Sequence, residues 1–267
     1  MAVLLCICLI VRMTGLLFYK GCTILGTLPA RIGNQMFTTF NHRKCYTDDE
    51  PQPFALVAAF LRLGTKYEIP HLRSEAVERL IRDYPLTLET WSDYGTHDNI
   101  ILEPGRHFSV ANLAREVGLA SILPVALYYA CEMYSFMEIL DGVHGDDGQH
   151  VILSAENQKA CLRGRERLIA AQHNKTFKWM DVTDPTLFPD CRSIRKCNQA
   201  RMALFYKTFR EKTMCYALAT WSSDDGDGFC GPCIESSRAM LYAGRAEIWN
   251  ELPSVFDLPT WEELVKE

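Results

Sequence analysis

The chain has 267 residues and a formal net charge of -5, with 48% hydrophobic, 11% aromatic and 23% charged residues. This composition excludes a wholly disordered protein, because there is ample apolar surface for a buried core, and the length suits one large domain or two small ones. The acidic balance excludes a general electrostatic attraction to nucleic acid or to anionic membranes. A local basic patch is still compatible with it.

Residues 1–44 do not share the pattern of the rest of the chain. An apolar run extends from Ala2 to Val11 and is followed by Arg12. A membrane or signal segment, a buried element and an artefact of gene prediction are the three alternatives. The run is shorter than the roughly 20 apolar residues of a membrane span, and it lacks the flanks of a signal peptide. From Leu16 to Lys44 neither the strand period nor the helix period is visible, so we expect this segment to add little to the folded core.

A pair of helices is predicted directly after this segment. Phe54 to Leu63 is almost wholly apolar, and Gly64 is placed as a helix stop. Pro70 opens a second helix at its first turn, where its missing N–H is not needed. That helix carries an apolar stripe on one face, and Tyr84-Pro85 ends it. The short connection predicts two antiparallel helices.

The remaining pattern is also helical. Three polar loops interrupt it, 95–105, 141–150 and 221–228. The tail from Leu252 to Trp261 is an irregular segment that should pack back on the helices. Strand signals are sparse, and we therefore predict an all-α fold. The further predicted helices are Thr87–Tyr94, Val110–Gly118, Leu123–Met133, Ala155–His173, Asn198–Lys212 and Ser236–Asn250. Ser154 is the predicted cap of the helix that begins at Ala155.

Several of these segments, taken in order, resemble one family. The predicted helix pair at 54–81 resembles the closing helical pair of BTB/POZ domains. More narrowly, it resembles that of the BTB proteins of mushroom-forming fungi. The matching pieces are Phe54–Leu80, Pro85–Trp91, Leu113–Glu116, Leu123–Tyr129, Gly244–Arg245, Trp249–Pro253 and Leu258–Trp261.

The resemblance implies a domain organisation and a function. Residues 45–84 would be the C-terminal part of a BTB/POZ-like domain, and 85–267 a helical C-terminal region. It also implies a non-catalytic, intracellular (cytoplasmic or nuclear) protein-interaction module whose partners are proteins of unspecified identity. The strands and helices that open BTB domains have no counterpart in residues 1–44. We therefore do not expect the BTB homodimer or recruitment of a cullin-type ubiquitin ligase.

The chain has eleven cysteines, a high number for an intracellular protein. Their spacing is too irregular for a disulfide-bonded secreted scaffold. Four of them form two pairs, Cys191-x5-Cys197 and Cys230-x2-Cys233. A C-x2-C pair at a turn into a helix is a common half-site for tetrahedral zinc, and the fungal family often carries paired cysteines in this region. The sequence thus predicts a structural zinc with its four sulfurs within about 4 Å of one another. Cys161 and Cys215 are spare thiols, and four ordinary reduced thiols are the alternative.

Cys230-Gly-Pro-Cys233 is also the letter string of a thioredoxin active site. That chemistry needs a strand before the motif and a helix after it, so that the helix N-terminus lowers the pKa of the first thiol. An Asp- and Gly-rich loop precedes the motif here. A thiol–disulfide oxidoreductase is therefore an alternative function and not the leading one.

Two other groups of residues could carry chemistry. A basic stretch lies beside the first cysteine pair and would suit a zinc-stapled nucleic-acid binder, although a solvated helix face explains it as well. It comprises Arg192, Arg195, Lys196, Arg201, Lys207, Arg210 and Lys212. His144 and His150 flank Asp146 and Asp147 without calcium-loop spacing. With no nucleophile elbow and no phosphate loop in the sequence, we expect no catalytic residues.

Overall fold

Ten α-helices and one short β-hairpin make up the part of the chain that the computed structural model describes, namely residues 50–93, 99–101, 103–145, 148–210 and 215–266. All of these residues belong to one unit, 48–267. The mostly helical structure confirms the predicted all-α class. The predictions for residues 1–44 lie outside the described residues.

The helices are numbered in chain order. They are α1 Phe54–Lys66, α2 Pro70–Asp83, α3 Leu88–Ser92, α4 Arg106–Val117, α5 Leu123–Met133, α6 Phe136–Asp141, α7 Ala155–Ala171, α8 Ile194–Arg210, α9 Gly231–Val255 and α10 Trp261–Leu264. A π turn, Gln172–Thr176, extends α7, and short 3-10 turns lie at Ala120–Ile122, Lys178–Met180, Pro185–Leu187 and Ser223–Gly226.

Helices α1 and α2 form the predicted helical pair. Pro70 occupies the first turn of α2, and the helix ends before Tyr84, as the sequence predicts. The prediction that Gly64 stops α1 is wrong, because the helix continues to Lys66. Gly64 is needed for close packing: a Cβ built there would lie 2.5 Å from the backbone nitrogen of Arg73 in α2. The glycine therefore lets two backbones meet inside the pair.

The centre of the molecule is α5, whose residues from Leu123 to Tyr128 are all buried. Such an all-round apolar helix needs partners on every side, and α4, α7 and α9 provide them. Helix α9 contacts the π turn through Gly244, where a Cβ would lie 2.7 Å from the backbone nitrogen of Thr176. A second cluster of buried side chains, which includes Phe177, Trp179, Cys197 and Cys233, lies between the π turn, α8 and α9.

Helix α9 is longer than the predicted helix Ser236–Asn250, because prolines at both ends resemble helix breakers in the sequence. Pro232 lies in the first turn, where no N–H is required. Pro253 lies in the last turn and cannot donate to the carbonyl of Trp249. The indole Nε1 of Trp261 donates to that carbonyl instead, at 2.8 Å. The structure thus replaces the hydrogen bond that Pro253 removes.

The tail after α9 packs back on the helices, as the sequence predicts. Phe256 and Leu264 are buried. The rings of Trp249 and Trp261 stack with centroids 5.4 Å apart. The irregular segment is shorter than predicted, since Leu252 to Val255 are helical.

A two-stranded hairpin lies within the predicted loop 141–150. Strand β1, Val143–His144, pairs antiparallel with β2, His150–Val151. Gly142 and Gly148 have φ values of 86° and 78°, which glycine adopts without strain, and this allows the chain to turn on both sides of β1. The hairpin is a local addition and does not alter the helical architecture.

Within the described residues, no helix combines the length and the apolar character that crossing a membrane requires.

Candidate metal centre

The starts of α8 and α9 hold the four cysteines of the predicted zinc site. Cys191 precedes α8, and Cys197 lies in its first turns. Cys230 is the residue before α9, and Cys233 lies in the first turn of that helix. The sequence placed the start of the first helix at Asn198, but α8 begins at Ile194, so Cys197 is a helical residue. The two helix starts therefore face each other with two thiols each.

The four sulfur atoms of Cys191, Cys197, Cys230 and Cys233 all lie within 4.8 Å of one another. A tetrahedron with Zn–S bonds of about 2.3 Å has sulfurs about 3.8 Å apart. The observed cluster is somewhat wider than the predicted limit of about 4 Å. The four residues are nevertheless brought together as predicted, and they could hold a metal ion. The spare thiols Cys161 and Cys215 are buried and are not members of this cluster.

Backbone N–H groups point at two of the sulfurs. The N–H of Arg192 donates to Cys230 Sγ at 3.4 Å, and the N–H of Cys230 donates to Cys197 Sγ at 3.3 Å. The first of these bonds is the main reason why the pKa of Cys230 is lowered to about 6. Burial acts in the opposite direction on Cys197 and Cys233, and it raises the pKa of both thiols above the usual range. The site therefore favours a thiolate at Cys230 on its own, whereas the thiols of Cys197 and Cys233 need a cation nearby to ionise.

A buried arginine lies behind the cluster. Arg201 is only 2% exposed, and its guanidinium lies 3.3 Å from the ring centroid of Phe188. Nη1 donates to Asn198 Oδ1 at 2.9 Å, but Nε and Nη2 have no hydrogen-bond partner among the described residues. Its positive charge acts on Cys233 and favours the thiolate there against the effect of burial. A buried cation with no carboxylate partner in the described part of the chain is costly, so Arg201 points to negative charge on the thiols.

Arg201 was counted in the sequence as one of seven basic residues of a possible nucleic-acid surface. Its burial contradicts that role, because a buried guanidinium cannot contact phosphate. The spacing contained a usable signal: Arg201 follows Cys197 by one helical turn and so lies on the same face of α8.

The site is closed on the side of the core. Cys197 and Cys233 are buried, and Cys191 and Cys230 are half-buried. Phe188 and Trp179 belong to the same buried cluster, and Phe229 packs against it. Four thiolates would fill a tetrahedral coordination shell and leave no position for a substrate or water, so a metal held here would be structural.

The two other candidate groups are placed differently. The rings of His144 and His150 stack across the hairpin with centroids 4.2 Å apart, and His150 Nε2 shares a hydrogen bond of 2.7 Å with the carbonyl oxygen of Asp141. Asp146 and Asp147 lie outside the described residues. Before the CGPC motif the structure has the 3-10 turn Ser223–Gly226 and no strand, although α9 does follow the motif.

The BTB/POZ resemblance finds no support in comparisons with known proteins. The chain matches no family model, no curated protein and no solved structure.

Proposed function

We propose that the chain is a non-catalytic protein-interaction module of the BTB/POZ type, in which Cys191, Cys197, Cys230 and Cys233 hold a structural zinc. The observation that carries the proposal is the cluster of four sulfurs within 4.8 Å of one another at the starts of two helices. A zinc ion closed in by four thiolates stabilises a structure and has no open position at which to perform a reaction.

Two features support a charged, metal-loaded state. Four thiolates around one Zn²⁺ carry a net charge of minus two, which must be compensated in a half-buried site. Arg201 supplies a buried positive charge beside Cys233, and the N–H of Arg192 and the N–H of Cys230 donate to sulfur. Hydrogen bonds to the sulfurs and a nearby cation are the outer-shell partners that metal ligands require.

The zinc would join two segments that are distant in the sequence. The chain between α8 and α9 includes the acidic turn Ser223–Gly226, which buries no residue. The turn itself therefore contributes no buried side chain next to the start of α9, whereas Ala217 and Leu218 earlier in the same segment are buried. Metal–thiolate bonds would add free energy of folding directly at the two helix starts, because the unfolded chain has no preformed site.

Metal analysis tests the zinc staple, by which we mean the structural zinc held by the four cysteines. We expect the full chain, purified under reducing conditions without chelator, to contain one zinc per molecule. Replacing Cys197 with serine should abolish zinc binding. Replacing Cys161, which is equally buried but outside the cluster, should leave the zinc content unchanged. Protein that is free of zinc, and whose melting temperature does not rise when zinc is added, would contradict the staple.

Affinity capture tests the interaction function. The tagged, zinc-loaded chain is incubated with extract of its native cells, and proteins that remain bound after washing are identified. Specific protein partners are expected, whereas the same set of proteins on an unrelated tagged control would contradict the proposal.

Thiol–disulfide exchange is a second candidate, favoured by the position of Cys230 at the start of α9 and its pKa of about 6. In that reaction the Cys230 thiolate would attack a substrate disulfide, and Cys233 would resolve the mixed disulfide. The substrate would leave as a dithiol, and a Cys230–Cys233 disulfide would remain. Turnover of a disulfide-containing substrate with dithiothreitol as reductant, lost when Cys230 is replaced with serine, would favour this candidate over the staple.

A further inference from the structure

Helix α8 exposes large apolar side chains along one edge, which begins beside the face that carries Cys197 and Arg201. Four of them are more than one-third exposed: Ile194 at 64%, Met202 at 45%, Phe205 at 39% and Tyr206 at 61%. Only Cys197 and Arg201 of this helix are buried. Leu204 and Phe209 are half-buried against the core, so the helix is attached along one face and leaves the rest of its surface to solvent.

The same helix is strongly basic. No aspartate or glutamate occurs from Cys191 to Arg210. Five cations of this segment are exposed: Arg192, Arg195, Lys196, Lys207 and Arg210. None of them takes part in an ion pair within the described part of the chain. Exposed arginines elsewhere do pair, as Arg62 does with Glu116, at 2.6 Å.

The apolar and the basic residues lie on adjoining sides. At about 100° per residue, Ile194, Phe205, Met202 and Tyr206 follow one another around one edge of α8. Lys196, Lys207 and Arg210 lie on the next edge, and Arg195 lies between Met202 and Tyr206 on the apolar edge. We call the surface formed by these eight residues the α8 outer face. The α8 outer face thus combines apolar and basic residues on a helix whose other side packs on the core.

We propose that the α8 outer face binds an acidic amphipathic segment of a partner protein, one that presents carboxylates beside apolar side chains. The inference rests on the interaction function proposed above and names the kind of partner. Carboxylates would pair with the exposed cations, and apolar side chains would cover Met202 and Tyr206. Met, Tyr and Arg are residues that protein interfaces favour, and the net charge of -5 means that this basic surface stands out from its surroundings.

Two other classes of partner explain the surface less well. Nucleic acid would use the cations but would leave Ile194 and Met202 in water, because phosphate contacts need no apolar anchors. An anionic membrane would use both, but insertion needs a wide, freely presented apolar stripe. Phe205 is 61% covered within the structure, and α8 is fixed at Cys197, so only one edge of the helix could reach lipid. A protein segment can follow that edge.

The binding test uses a fluorescein-labelled synthetic helical peptide with Leu and Phe on one face and Glu and Asp on the other. Its affinity for the full zinc-loaded chain is measured by fluorescence anisotropy. Two control peptides replace either all Leu and Phe with Ser, or all Glu and Asp with their amides. We expect the first peptide to bind at least about tenfold more tightly than either control, because both halves of the surface contribute.

Variants locate the binding site. Tyr206→Ser and Arg195→Gln should each weaken peptide binding about fivefold to tenfold, as expected for residues that contribute about 1 kcal/mol or more. Met137→Ser is the matched control, since Met137 is 60% exposed on the distant helix α6, and it should not change the affinity. Equal binding of the charge-only peptide, or unchanged binding by Tyr206→Ser, would overturn the inference.

The competing partners are measured with the same samples. Single-stranded DNA or phosphatidylserine vesicles that bind more tightly than the peptide would also overturn the inference. Two further measurements distinguish a failure of this inference from a failure of the proposed function. They are the zinc content of each sample and a repeat of the affinity capture. A zinc-loaded chain that captures the same partners after Tyr206→Ser would refute the assignment of the surface alone. A chain without zinc and without partners would refute the function itself.

Discussion

Replacing Arg201 with methionine should have opposite effects on the metal-free and the metal-bound protein. In the metal-free protein at neutral pH, burial raises the pKa of Cys233 well above its usual range, so the thiol is neutral. The guanidinium is then a buried cation with a single side-chain hydrogen bond and two unpartnered nitrogens. Methionine fills a similar volume over Phe188 without that desolvation. We expect the metal-free variant to be more stable by about 1 kcal/mol, the lower end of the range for one unsatisfied buried group.

The Arg201→Met variant should, however, bind zinc more weakly than the wild type. With zinc present the cluster carries negative charge, and Arg201 is the buried cation beside it. Losing an outer-shell partner of this kind typically lowers metal affinity about 10–100-fold, or roughly 1.4–2.7 kcal/mol. Zinc affinity is measured by competition with a chromophoric chelator, and metal-free stability by urea unfolding with EDTA and a thiol reductant.

Arg195→Met is the control for this experiment, because Arg195 lies on the same helix but is exposed. It should change neither the zinc affinity nor the metal-free stability by more than about 0.5 kcal/mol. If Arg201→Met destabilises the metal-free protein and leaves zinc affinity unchanged, then Arg201 only packs against Phe188, and the charge-compensation reasoning is wrong.

Three further predictions concern the fold. Gly244→Ala should lower the melting temperature by roughly 6 °C, because the new methyl group meets the backbone of the π turn, whereas Ala243→Ser, an addition of one atom at an exposed neighbour, should not. Trp261→Phe should cost about 1–2 kcal/mol in urea unfolding, since the carbonyl of Trp249 loses its donor, and an unchanged midpoint would contradict this. Burial lowers the pKa of His107 to about 3, so the unfolded chain binds a proton that the folded chain refuses as pH falls through about 6.5. The free energy of unfolding should therefore fall by about 2 kcal/mol between pH 7 and pH 5 because of His107. The wild type should lose about 2 kcal/mol more than His107→Gln over this interval.

The sequence alone was sufficient to predict structure where a single residue determines where a helix begins. Pro70 at the start of α2 and Ser154 before α7 are such residues, and the structure uses both as predicted. The Ser154 side chain accepts a hydrogen bond from the N–H of Asn157, which is the bond that makes serine a helix cap. The cysteine pairs belong to the same group, because their spacing is informative without knowledge of the fold.

Long-range contacts decided the features that the sequence could not predict. Gly64 and Pro253 resemble helix ends, yet neither ends a helix. Position 64 needs a glycine within the helix because the backbone of Arg73 leaves no room for a Cβ. Pro253 is tolerated because the indole of Trp261 donates to the carbonyl of Trp249. Both compensations come from other segments of the chain. The burial of Arg201 is of the same kind, since it depends on how α8 meets Phe188.

The shallow attachment of α8 has a consequence for how the protein opens. Cys197 and Arg201 are the buried residues of this helix, and Leu204 and Phe209 are half-buried against the core, so the helix depends strongly on its hold on the cysteine cluster. Without metal, α8 should behave as a separate cooperative unit whose amide hydrogens exchange through local opening, well before those of α5. With metal bound, the same amides should exchange only when the wider structure unfolds. Metal occupancy would then determine how often α8 detaches from the rest of the molecule.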